Sequence, residues 1–187
     1  TTLFRSGRSQ RHHWLNDLVW RAMAKAGFPS IKEPQGLLRT DGKRPDGLSL
    51  IPWQDGRCVT WDVTVTDTVA ASYLNNTASC AGSAAEAAAS RKEDKYAEIA
   101  VRYHFFPLAF ETFGPINQAG CEFLSSLGHR LSLVSDDPIE RLHFSSNVFL
   151  FLFNASTLFV FATHSGTCQH NFLPAGTHLE FSFFFFH

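Results

Sequence analysis

The sequence predicts an α/β fold in which helices flank a mixed sheet. Three segments with helical patterns alternate with strand-like stretches in the order helix, three strands, helix, strand, helix. A helix that crosses over from a run of three strands to a further strand favours a mixed sheet with helices on both faces. With 187 residues, the chain is long enough for one domain with a core of its own.

The first half of the chain contains a predicted helix and three predicted strands. Apolar side chains recur at helical spacing over residues 10–26. Residues 30–38 are predicted to form a short first strand. Residues 47–53 and 58–66 are predicted to form a hairpin, because Asp55-Gly56 between them is a strong turn signal.

The second half begins with an alanine-rich helix, predicted over residues 84–103. Lys92 and Lys95 fall on its apolar face, where charged side chains are not expected. A strand over residues 105–113 follows, and then a second amphipathic helix over residues 116–134.

Composition limits the classes of function. The net charge is −1, so any contact with nucleic acid depends on local basic residues, among them Arg11, Lys43 and Arg44. The four cysteines lack the paired spacing of a zinc site and do not indicate a disulfide framework. No targeting signal is apparent. We therefore expect an intracellular protein.

The pattern divides the chain into three parts. Residues 1–8 are interpreted as a basic N-terminal remnant, residues 9–134 as the domain, and residues 135–187 as a linker with a low-complexity, phenylalanine-rich tail. The apolar run at residues 148–162 is shorter than the roughly 20 residues of a membrane span, so we expect no membrane association. A membrane-associated protein built around the tail is one alternative, and a frameshift product is another interpretation of the tail.

The predicted hairpin brings two carboxylates together. Alternation along its second strand places Asp62 and Thr64 on one face and Trp61 on the other. Counting back from the turn pairs Asp46 with a position near Val65, close to Asp62. Two neighbouring carboxylates disfavour joint ionisation unless a cation lies between them. Mg²⁺ is such a cation, and it also binds phosphate oxygens.

Three motifs in this order carry a family resemblance: Arg44-Pro45-Asp46, Trp61-Asp62-Val63-Thr64-Val65 and Arg91-Lys92-Glu93-Asp94-Lys95-Tyr96. They resemble the restriction-like endonuclease domain of non-LTR retrotransposons, a branch of the PD-(D/E)XK nuclease superfamily. The resemblance covers roughly residues 5 to 140 and includes further matches at residues 11–20, 32–37 and 106–114. It implies a restriction-endonuclease-like fold.

The resemblance also implies an activity and its site residues. The family's domain is a Mg²⁺-dependent endonuclease, with Mn²⁺ as an alternative ion, that nicks target DNA so that a reverse transcriptase can prime on the exposed end. By this likeness Asp46 and Asp62 would ligate the metal, the Val63 carbonyl would assist, and Glu33 would be an outer acidic ligand. The implied partners are DNA and the reverse transcriptase module of the parent element, with no small-molecule cofactor, and the implied location is the nucleus if the protein is expressed.

The implied catalytic lysine departs from the superfamily's usual position. Thr64 stands where most members carry lysine two residues after the second acid, as in relatives whose lysine has moved to the following helix. Lys92 or Lys95 would then be catalytic, by holding or polarising the attacking water.

A second interpretation is a catalytically inactive remnant that at most binds nucleic acid or protein. In that case Asp46 simply follows a turn proline, and Asp62 is a buried acid that accepts hydrogen bonds from its neighbours. The two lysines then pair with nearby acids such as Glu98. His12 is expected to be exposed or to cap its helix weakly.

Overall fold

The computed structural model describes residues 2–37, 42–70, 77 and 80–153. Its single described sheet is mixed, as predicted. Strands β1 and β2 and strands β2 and β3 are antiparallel, whereas β3 and β4 are parallel. In spatial order, the strands are β1 (Ser30–Lys32), β2 (Gly47–Ser49), β3 (Val59–Thr66) and β4 (His104–Glu111).

Helices cover both faces of the sheet, which confirms the predicted α/β class. One face is covered by α1 and two C-terminal helices, and the other by the crossover helix between β3 and β4. The described helices are α1 (Thr2–Lys25), α2 (Ser83–Lys95), α3 (Ala97–Ala100), α4 (Gln118–Ser135) and α5 (Pro138–Phe153).

The first helix is longer, and the first strand shorter, than predicted. Helix α1 begins at Thr2 rather than at residue 10. Strand β1 ends at Lys32 because Glu33 adopts a left-handed backbone conformation, with φ of 48°. Pro34 follows, and the chain turns into a short 3₁₀ helix at Gln35–Leu37.

The hairpin has a different register from the predicted one. Gly47 lies opposite Trp61, so extending the register by one residue puts Asp46 opposite Asp62 rather than near Val65. The Asp55-Gly56 turn closes only a small loop, in which the Trp53 N–H donates to the Arg57 carbonyl (2.8 Å), and β2 already ends at Ser49. The predicted proximity of the two aspartates is correct, although the counting behind it was wrong by three residues.

A close contact explains this register. A Cβ atom on Gly47 would lie 2.0 Å from the Trp61 ring, so only glycine allows the strands to approach here. The Asp46 N–H donates to the Trp61 carbonyl at 2.9 Å and extends the pairing by one residue before the start of β2.

The predicted helix over residues 84–103 is divided at Tyr96. This residue leaves helical geometry, with φ of −107° and ψ of 19°, and separates α2 from α3. Its side chain is fully buried, and the hydroxyl group reaches the sheet. Four alanines of α2 are also buried, Ala84, Ala85, Ala88 and Ala89, and the last three pack with Ala109 of β4.

Helix α5 extends the folded unit beyond residue 134, where the sequence analysis ended the domain. Phe144 and Val148 are buried in the same apolar core as Trp61. Gly128 of α4 permits this packing, because a Cβ there would lie 3.0 Å from the Arg141 side chain and 3.4 Å from Phe144. The remainder of the predicted phenylalanine-rich tail, residues 154–187, lies outside the described residues.

No helix in the described part of the chain is both long enough and apolar enough to cross a membrane.

Candidate active site

One cavity of about 330 Å³ brings the predicted site residues together. It lies where the hairpin of β2 and β3 meets the C-terminal end of α2. Every predicted catalytic and metal-binding residue lines it: Glu33, Asp46, Asp62, Val63, Lys92 and Lys95. Lys43 and Arg44, predicted to contact DNA, also line the cavity, whereas Arg11 is not among its lining residues.

Asp62 is the most buried acid of the site, with 4% of its surface exposed. The Tyr96 hydroxyl lies 2.9 Å from its Oδ1, and the Lys92 ammonium lies 2.5 Å from its Oδ2. Burial raises the pKa of Asp62 above its ordinary value, and the charge of Asp46 raises it further. The charge of Lys92 and the hydrogen bonds from Lys92 and Tyr96 act in the opposite direction and limit this rise.

Asp46 is held by two donors on the same oxygen. Its Oδ2 accepts a hydrogen bond from the Val63 N–H (2.7 Å) and lies 3.0 Å from His12 Nε2. The hydrogen bond to Asp46 is the main cause that raises the pKa of His12, while partial burial acts in the opposite direction.

The two candidate lysines have different surroundings. Lys92 is paired with the buried oxygen of Asp62. Lys95 donates to the Tyr96 hydroxyl at 2.7 Å and lies over the Tyr96 ring, 4.3 Å from its centroid. The ammonium of Lys92 is therefore directly at a candidate metal ligand, whereas that of Lys95 is one group further away.

Glu33 lines the cavity, and its carboxylate is paired with Arg44, another residue of the cavity. Its carboxylate is exposed and accepts a hydrogen bond from the Arg44 guanidinium group. Its backbone N–H donates to the Asp46 carbonyl at 2.9 Å, which ties the end of β1 to the residue before β2. Glu33 thus helps to position Asp46 through the backbone.

The structure brings two residues into the site that the sequence analysis did not assign there. His12 is partly buried against Asp46, which corrects the expectation that it is exposed or weakly capping. Tyr96, the last residue of the third motif, has its hydroxyl 2.9 Å from both Asp62 Oδ1 and the Arg44 carbonyl. Both residues belong to segments that carry the family resemblance, at Arg11-His12 and Lys95-Tyr96. Their place in these segments was the signal in the sequence that could have indicated a role in the site.

The donor set fits a hard divalent cation. In the described part of the chain, no three or more His, Cys, Asp and Glu side chains form a group that could hold a metal ion. Mg²⁺, however, is commonly bound by one or two carboxylates together with waters and substrate phosphates. Asp62 Oδ2 is a buried oxygen that accepts no hydrogen bond of good geometry within residues 2–37, 42–70, 77 and 80–153, and its ion pair with Lys92 compensates for this.

The residues that would hold Mg²⁺ are Asp46, Asp62 and the backbone of Val63. In a strand, the carbonyl of a residue faces the same edge as its N–H. The Val63 N–H points to Asp46, so its carbonyl faces the same side of β3. Mn²⁺ prefers the same class of oxygen ligands.

Comparison of the sequence with protein-family models found no match, and comparison with curated proteins found no significant similarity.

Proposed function

We propose that this protein is a Mg²⁺-dependent DNA endonuclease of the restriction-like class, with DNA as its substrate. The observation that carries the proposal is the cavity in which Asp46 and Asp62, from paired strands, meet Lys92, from the crossover helix. The motif resemblance supports a retrotransposon origin, a reverse transcriptase module as partner and a nuclear site of action.

Hydrolysis of a phosphodiester joins a water oxygen to phosphorus and breaks the bond to one sugar oxygen, which takes up a proton. Bound Mg²⁺ would supply charge neutralisation on the phosphate and a water of lowered pKa. Lys92 supplies a positive charge and proton donors next to Asp62, where it can hold the attacking water or the phosphate. Tyr96 keeps the Asp62 carboxylate in one orientation.

The cavity mouth also carries positive charge that suits a nucleic acid. Lys43 and Arg44 precede Asp46 and line the same cavity. Cationic side chains in such positions contact phosphates and set the register of the duplex, and they carry no sequence information themselves.

A second candidate function is an inactive remnant that binds nucleic acid or protein. The ion pair between Lys92 and Asp62 favours it, since that pair compensates the buried carboxylate without a metal ion. This alternative predicts a folded protein with no cleavage activity.

The test is nicking of supercoiled plasmid by the full chain, in Mg²⁺ and in EDTA. We expect Mg²⁺-dependent nicking that is lost in Asp62→Ala. Asp94→Ala is the matched control, because Asp94 is an exposed acid on α2 and does not line the cavity. Equal, metal-independent behaviour of the wild type and Asp62→Ala, both folded, would support the remnant instead.

A comparison of Lys92→Met with Lys95→Met identifies the catalytic lysine. We expect Lys92→Met to lower the nicking rate by about 10²–10⁴-fold, the usual contribution of a positioned acid or base. Lys95→Met should have the smaller effect, because its ammonium is bonded to the Tyr96 hydroxyl. A larger loss in Lys95→Met would assign the role to Lys95.

A further inference from the structure

We propose that His12 is a positioning residue that orients the Asp46 carboxylate for metal binding. This inference rests on the proposed function, because it assigns a role at the same site. It was not expected from the sequence, which places His12 34 residues before Asp46.

The geometry at Asp46 carries the inference. Its Oδ2 receives the Val63 N–H from β3 at 2.7 Å and faces His12 Nε2 of α1 at 3.0 Å. Two donors from two different elements hold this one oxygen of the carboxylate in place. They leave Oδ1 as the oxygen for a cation in the cavity that Asp46 lines.

Helix α1 is anchored firmly enough for such a role. One turn after His12, the side chain of Asn16 is buried, and its Oδ1 accepts a hydrogen bond from the Trp61 indole N–H at 2.9 Å. Leu15, between them, is fully buried in the core. The turn that carries His12 is therefore held against β3, and the imidazole reaches Asp46 from a fixed backbone.

The arrangement matches a general property of metal sites. Groups that hydrogen-bond to ligating side chains orient them, and removing such a group typically costs 10–100-fold in metal affinity or activity. His12 needs only an N–H at Nε2 for this purpose, and it does not have to touch the substrate or the metal.

The test is calorimetric titration of the full chain with Mn²⁺, which reads metal affinity independently of cleavage. We expect His12→Ala to weaken Mn²⁺ binding by about 10–100-fold. His12→Gln should recover most of the affinity, because its terminal amide can place an N–H near the position of Nε2. His12→Asn is too short to reach and should behave like His12→Ala.

His13→Ala is the matched control. It removes a histidine from the same turn, one that meets His12 edge to face but does not line the Asp46 cavity. We expect its Mn²⁺ affinity to equal that of the wild type, and thermal melts followed by circular dichroism should show every variant folded.

The outcomes separate the two proposals. Wild-type affinity in a folded His12→Ala variant, or no recovery in His12→Gln, would overturn the role of His12 and leave the nuclease proposal standing. Absence of Mn²⁺ binding by the wild type itself would contradict the proposed function, and the role of His12 with it.

Discussion

The two faces of strand β3 differ in chemistry although they share one backbone. Towards α1, the strand presents Val59, Trp61 and Val63, which are buried in the main apolar core. Towards α2, it presents Asp62 and Thr64, which lie under a helix of small residues. One face serves to fold the protein, and the other holds the candidate site.

The covering helices explain how the two faces can differ. Large side chains of α1 and α4, including Leu15 and Phe123, fill the space over Trp61. The buried alanines of α2 bring that helix close to the sheet without filling the space at its C-terminal end. There Tyr96 and Lys92 reach Asp62 with polar atoms, so a buried carboxylate is tolerated.

The largest expected effect is loss of stability on the apolar face. Trp61→Ala should lower the free energy of unfolding by about 3–5 kcal/mol, because it leaves a cavity and deprives Asn16 of its donor. Urea denaturation measures the change. Thr64→Ala is the comparison on the opposite face. Since the Thr64 hydroxyl has no hydrogen-bond partner among the described residues, we expect a loss of about 1 kcal/mol or less. Equal losses of unfolding free energy in Trp61→Ala and Thr64→Ala would show that the two faces of β3 contribute equally to stability.

The second largest expected loss of stability tests whether α5 is part of the apolar core that contains Trp61. Phe144→Ala should destabilise the protein by about 3 kcal/mol, because Phe144 is buried in the same core as Trp61. Leu142→Ala is the matched control on the same helix, since Leu142 is 42% exposed. A thermal transition that is unchanged in Phe144→Ala would show that the fold does not need α5.

The smallest expected effect is a gain in stability from a substitution on the polar face of β3. Burial, with the charge of Asp46, raises the folded-state pKa of Asp62 above 3.8. Compared with the unfolded state, the folded state thus favours the protonated form of Asp62. Protonated Asp62 contributes its full stabilisation below about pH 4, and this stabilisation is lost as the pH rises through the raised pKa. Asp62→Asn stays neutral, so in EDTA at pH 7 it should be more stable than the wild type, by about 0.5–2 kcal/mol.

Urea denaturation at pH 7 and at pH 4 checks this prediction, and the gain should shrink at the lower pH. Asp94→Asn, at an exposed position of α2, should change stability little at either pH. A destabilised Asp62→Asn at pH 7 would mean that the ion pair with Lys92 outweighs the cost of burying the carboxylate.

Sequence periodicity was sufficient to predict which side chains of an element share a face. The alternation in β3 correctly separated Trp61 from Asp62. Lys92 and Lys95, which the pattern places on the apolar face of their helix, both line the cavity. Periodicity was insufficient for the hairpin register, because the close approach of Gly47 to the Trp61 ring has no signature in a turn motif.

The sequence by itself determined the α/β order of elements, the two faces of β3 and the residue types that can bind a hard cation. Only the tertiary structure decided that His12 and Tyr96 join the site and that α5 completes the core. The physical reason is that the contacts of the site connect residues 34 positions apart, such as His12 with Asp46 and Tyr96 with Asp62, and that α5 joins a core built from several elements. Local patterns describe how one element meets its surroundings, whereas the packing of several elements selects which polar atoms meet.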